Sequence, residues 1–145
     1  MSVPLRYPAT RHDPAPLIDL SRRAERERLS PAAVRGFLNI IARWRVRDED
    51  ARQLLGGIAS STLHLMKNDP DRLLDEDKLR RISYLIGIFK ALNILYGESL
   101  ADRWMQMPNK NRMFAGSTPL AYLISGGLPA FDAVRRLLDA RRGGL

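Results

Sequence analysis

Residues 75–96 set the tightest constraint on how this chain can fold. Apolar side chains recur there at spacings of three and four on two neighbouring stripes. One is Ile82, Leu85, Ile86, Phe89, Leu92 and Tyr96; the other is Tyr84, Ile88, Ala91 and Leu95. The spacing predicts a helix from about Asp75 to Tyr96. A helix that buries most of its girth is either central in its domain or shared with a second subunit.

The remaining signals from residue 30 onward are also helical, and no segment shows a convincing period of two. Ser30-Pro31 reads as a cap followed by proline at the first helical position, ahead of Val34, Phe37, Leu38, Ile41 and Trp44. That helix is expected to end near Arg45. Asp48 is expected to cap a short second helix stopped by Gly56-Gly57, and Ser60 or Ser61 a third that runs to Asn68-Asp69-Pro70. Short helices follow near Ser99–Met107 and Thr118–Ser125, then a final one from about Pro129 to Arg141. The fold class is all-α.

At 145 residues the chain has room for one compact domain or two very small ones. Residues 1–29 hold four prolines (Pro4, Pro8, Pro14 and Pro16) and the mixed run SRRAERER, and read as a flexible arm whose charged end either turns helical or stays solvated. Net charge is +3 over residues 30–68, −3 over 69–79 and +6 over 80–145. An acidic connector therefore separates two basic units, expected at 30–70 and 71–145. The total of +8 points to a polyanion or an acidic partner surface. Twenty of the 24 cations are arginines, which suits phosphate and carboxylate recognition, although GC-rich coding gives the same bias.

Several functional classes are disfavoured. No stretch approaches the ~18 consecutive apolar residues of a membrane span, and Arg6 and Arg11 precede no apolar run, so no secretory signal is expected. The absence of cysteine removes disulfides, thiolate metal sites and Cys nucleophiles. His12 and His64 are too few for a histidine metal cluster. Asp48, Asp50, Asp75 and Asp77 sit at helix starts, where capping explains them better than acid–base pairing. Neither catalytic residues, nor a metal, nor a cofactor is expected.

Residues 48–68 have the length and punctuation of a helix-turn-helix. Ser60, Ser61, Thr62, His64 and Lys67 are its outward, DNA-binding candidates, while Ile58, Leu63 and Met66 pack inward. Two features fit poorly. Arg52 and Gln53 occupy the positions where a small residue usually lets the helices cross, and the second helix lacks an early Arg, Asn or Gln. A hairpin kept only for packing remains the alternative.

The segments 80–97 and 100–140 carry an ordered set of residues. These are Leu100, Ala101 and Trp104, then Pro108-Asn109, Phe114 and Gly116, then Thr118-Pro119-Leu120, Gly126, and Val134-Arg135. In that order and spacing the chain resembles the antitoxins of the Xre/MbcA/ParS family, over about residues 30–140. Singly, these residues read as structural: Thr118-Pro119 starts a helix, Gly126 ends one, and Trp104 and Phe114 belong to a core.

The resemblance implies an Xre-like helix-turn-helix followed by a small helical toxin-binding and dimerisation domain. It implies a RES-domain toxin as partner, an NAD-degrading enzyme whose active site the antitoxin covers. It further implies a cytoplasmic bacterial homodimer that represses its own operon by binding operator DNA. Arg135, Arg136, Arg141 and Arg142 on the last helix are candidates for the toxin-facing edge, against the alternative of a solvated helix face. A stand-alone transcription regulator without a toxin is the second functional reading.

Overall fold

A computed structural model describes residues 18–143. They form α1 (Arg23–Arg43), α2 (Asp48–Leu54), α3 (Ser60–Asn68), α4 (Glu76–Tyr96), α5 (Glu98–Trp104), α6 (Pro119–Gly126) and α7 (Leu128–Arg142), with no strand among the described residues. The fold is all-α.

α4 is central, one of the two arrangements that its stripes allow. Ile82, Leu85, Ile88, Ala91 and Leu92 are fully buried. α1 and α7 of the same chain pack along α4, and α5 folds back against it. Ile94, which belongs to neither stripe, is 64% exposed. The start of α4 is fixed locally: the Asp75 carboxylate accepts from the Lys78 backbone N–H at 2.8 Å and pairs with its Nζ at 2.7 Å. Burial opposes ionisation of Asp75, but the hydrogen bonds from Lys78 outweigh it and hold the carboxyl below its usual range.

α1 begins at Arg23, seven residues before the Ser30-Pro31 signal, so residues 23–29 of the expected arm are helix and Pro31 lies inside it. The Pro-rich residues 1–17 lie outside the described residues. Arg26 Nη1 donates to the Leu20 and Ser21 carbonyls, tying the chain's approach to the first turns. Ser30 serves packing instead of capping. It is 1% exposed, its hydroxyl donates to the Arg26 carbonyl, and its oxygen accepts from the Leu74 N–H at 2.9 Å. A serine that satisfies a buried amide across 44 residues looks identical, in sequence, to one that caps a helix.

Two other caps are displaced by one residue. α2 has Arg47 and α3 has Ala59 at the N-cap, both with extended backbone and neither with a side-chain cap bond. Asp48, Glu49 and Asp50 still lie in the first turn of α2, where their charge offsets the exposed N–H groups.

Arg81 joins the α2–α3 pair to the rest. Its side chain is largely buried, pairs with Asp77 at 2.9 Å, reaches the Leu54 carbonyl, and stacks over Phe131 of α7 at 5.8 Å. The buried side chains from Val34 to Leu138 form one continuous core.

Candidate functional site

The α2–α3 pair turns through Gly56 and Gly57, whose φ angles of 90° and 87° disfavour any residue with a Cβ. Arg52 braces this turn. Its Nε donates to the Ile58 carbonyl at 2.7 Å, and its own carbonyl accepts from Gly57 and Ile58. The arginine that fits the sequence pattern poorly is thus a strut of the turn, and the small buried residue of α2 is Ala51. Leu54, Leu55, Ile58, Leu63 and Met66 close the interior of the pair.

Ser60, Ser61, His64 and Lys67 are exposed and Thr62 is half-buried. Since α3 starts at Ser60, the hydroxyls of Ser60 and Ser61 are not used for capping. Ser60, Ser61 and His64 fall on one face at helical spacing. His64 Nε2 lies 3.0 Å from Asn68 Nδ2. Lys67 does not point free: its Nζ is 2.8 Å from Asp48 Oδ1, a link from the end of α3 to the start of α2. Asp48 is the partner that sequence reading missed, because 19 residues separate the two.

The α4–α7 seam holds the four arginine candidates. Gly87, inside α4 and buried, gives the Arg135 guanidinium room to cross: a Cβ there would lie 1.4 Å from Arg135 Nη1. Arg135 Nε then donates to both carboxylate oxygens of Asp139, at 3.0 and 3.1 Å. Arg142 approaches the same carboxylate at 3.9 Å. Arg136 pairs with Asp132 at 2.8 Å, yet its side chain stays 79% exposed. Arg141 also reaches α4 and donates to the Tyr96 hydroxyl at 2.6 Å.

Arg135 and Arg142 are therefore brought together at Asp139, Arg136 pairs separately with Asp132, and Arg135 and Arg141 both reach α4. Tyr84 donates to Asp132 at 3.1 Å; burial first, and this hydrogen bond second, push its hydroxyl above the usual range. Arg135 and Asp139 also edge a groove of about 600 Å³ floored by Leu29, Ala33, Ile82 and Ile86.

The ordered motif residues build the unit's frame. Trp104 stacks on Tyr96 and meets Phe114 edge-on at 5.8 Å; Phe114 meets Tyr122 edge-on at 5.3 Å. Thr118 caps α6 by accepting from the Ala121 N–H at 3.1 Å, and Pro119 and Leu120 are buried in its first turn. Leu120 N–H bonds the Met105 carbonyl at 2.9 Å. Pro108 is exposed, Asn109 pins the following loop through its side chain, and Gly116 takes a φ of 86°. Gly126 is the last residue of α6 and not its cap. The left-handed cap is Gly127, while a Cβ on Gly126 would lie 2.5 Å from Ala130 Cβ. Among the described residues, no three His, Asp or Glu side chains gather as a metal-ligand set, and no helix is long and apolar enough to cross a membrane.

Residues 91–144, from the second half of α4 through α7, match the antitoxin Xre/MbcA/ParS C-terminal toxin-binding domain. The chain is also similar to the uncharacterized protein y4oB of Sinorhizobium fredii (strain NBRC 101917 / NGR234), 36% identical over 115 residues that cover 79% of this chain and 87% of that one. No solved structure matches it. Residues 91–144 thus belong to the toxin-binding domain family of the Xre/MbcA/ParS antitoxins. α1–α3 lie outside the residues matched to the toxin-binding domain.

Proposed function

We propose that the chain neutralises a RES-type toxin that degrades NAD, and does so by covering the toxin's active site. Inhibition then works by occupancy, without a reactive group from the antitoxin, and lasts as long as the complex. The match of residues 91–144 to a toxin-binding domain carries this reading.

Arg135, Arg136, Arg141 and Arg142 are proposed to face the toxin. The intrahelical ion pairs of Arg135, Arg136 and Arg142 lie at the surface. Such pairs contribute only about 0.3–0.5 kcal/mol each, so these arginines can exchange partners for carboxylates of the toxin. Arg136, the most exposed of them, is the easiest to redirect.

The second proposed role is operator binding as a homodimer in the cytoplasm, with residues 30–70 as the DNA-binding unit and 71–145 for toxin binding and dimerisation. The support is the braced α2–α3 pair with Ser60, Ser61 and His64 on its open face. Two such helices about one DNA turn apart read an inverted repeat.

The test is growth rescue. A RES-type toxin gene found beside this one, expressed alone, is expected to arrest growth and deplete NAD; co-expressing the chain restores both. Arrest that persists with abundant soluble antitoxin overturns the reading. The α2–α3 geometry also favours a stand-alone regulator, which predicts operator binding without rescue.

A further inference from the structure

We infer that the loop between α5 and α6, Met107–Ser117, is a preformed contact surface for an acidic face of the toxin. The inference rests on the toxin-binding role of residues 91–144 and goes beyond it by naming the surface and the partner's chemistry.

Charge is the first argument. The 29 residues from Arg103 to Phe131 contain no Asp or Glu, and their cations are Arg103, Lys110 and Arg112. All three are exposed, and none pairs with a carboxylate among the described residues. The arginines of α7 differ: Arg135, Arg136 and Arg142 have an Asp on their own helix. Lys110 and Arg112 have no carboxylate partner among the described residues, as Arg22, Arg45 and Lys90 have none elsewhere, but these two share one loop inside the matched toxin-binding residues, where an external carboxylate surface can answer them.

Order is the second argument. The loop is closed on itself by Asn109 N–H to the Ser117 carbonyl at 3.1 Å and Gly116 N–H to the Asn109 carbonyl at 3.0 Å. The Asn109 and Asn111 side chains accept from the N–H groups of Asn111 and Met113, both at 2.9 Å. Phe114 roots the tip in the aromatic ladder and Ala115 takes a φ of 49°, a conformation an alanine keeps only where its surroundings impose it. A loop already fixed in this way loses little freedom on binding.

Met107 and the loop's place within the matched toxin-binding residues favour a protein over a nucleic acid. Met107 stands 41% exposed at the base of the loop. The exposed methionine suits a protein interface, where Met and Arg are enriched, and the loop lies inside the residues matched to a toxin-binding domain; its cations and amides would also suit a phosphate backbone, which the DNA-binding arm of the test separates.

The test measures binding of the purified full chain to the toxin encoded beside it, at 50 and 300 mM salt. Lys110→Glu/Arg112→Glu is expected to raise Kd about 30-fold or more at low salt, mainly through the association rate, with a smaller gap at high salt. Met107→Ser is expected to raise Kd about 5- to 10-fold, mainly through dissociation. Arg22→Glu/Arg23→Glu changes net charge equally at the start of α1 and is expected to leave Kd within about 2-fold. Unchanged thermal midpoints establish that the loop variants are folded.

If the loop variant binds toxin like the wild type, the surface is not the contact, while the toxin-binding reading stands. Equal losses in the loop and α1 variants attribute the effect to net charge and overturn the inference. Intact toxin binding with lost DNA binding assigns the surface to nucleic acid and also overturns it. A wild-type chain that binds no toxin removes the reading beneath it as well.

Discussion

Arg135 lies across α4 at Gly87, in a notch that any Cβ would close: the guanidinium Nη1 is 1.4 Å from where that atom would be. The helix therefore carries a glycine, which costs about 1 kcal/mol of helix propensity relative to alanine, at the place where an arginine from α7 passes. The obstructing atoms belong to the far end of a flexible side chain, so the arginine moves before the backbone does.

Gly87→Ala is expected to change stability by less than about 1 kcal/mol, because the propensity gain offsets the lost seat of Arg135. In an Arg135→Ala background the same substitution is expected to stabilise by about 0.5–1 kcal/mol. Chemical denaturation of the two single variants and the double variant measures the coupling. Identical effects of Gly87→Ala in both backgrounds would show that the notch is not made for Arg135.

Ser30 bridges α1 to the connector before α4 through the Leu74 N–H. Ser30→Ala leaves that buried donor without a partner and is expected to cost about 1–3 kcal/mol. Ser30→Thr, which keeps the hydroxyl, is the comparison that separates lost hydrogen bonding from altered packing. Equal stability of Ser30→Ala and wild type in urea would contradict the bridge.

Asp75 titrates below its unfolded value because Lys78 holds the carboxylate against the opposing effect of burial. The unfolded chain binds the proton more readily, so this contribution is complete above the ordinary Asp pKa of about 4 and is lost as pH falls through the lower folded value. Asp75→Ala is expected to cost about 1 kcal/mol at pH 7 and less at pH 3. A penalty that grows toward acid would give the wrong sign.

Lys67 is held by Asp48 at 2.8 Å. If α3 binds DNA, Asp48→Ala releases this lysine and removes a carboxylate from the same surface. Operator affinity is then expected to rise, and the slope of log K against log salt to steepen by about one. Lys67→Ala is expected to flatten it by a similar amount. Mobility shifts at several salt concentrations test both, and a slope indifferent to both variants would place Lys67 outside the DNA contact.

Features governed by neighbours in sequence were legible in the chain itself. The bounds of α4, its Asp75 cap and the Thr118-Pro119 start of α6 follow from local hydrogen bonds and apolar period, and the structure has all three. The start of α1 was not legible, because Ser30-Pro31 gives the same signal whether the serine caps a helix or satisfies Leu74 from the far side of the core. The Lys67–Asp48 pair and the Gly87–Arg135 crossing join residues 19 and 48 positions apart. No periodicity encodes such contacts. The order of the α5–α6 loop comes from the side-chain bonds of Asn109 and Asn111 and the seat of Phe114, which appear only once the chain has folded.

The most direct measurement is the NAD consumption of the RES-type toxin proposed as partner, titrated with the purified chain. The account predicts that activity falls in proportion to added antitoxin and vanishes once the complex is saturated, then returns when the complex is dissociated. Undiminished NAD consumption in the presence of excess folded chain would contradict it.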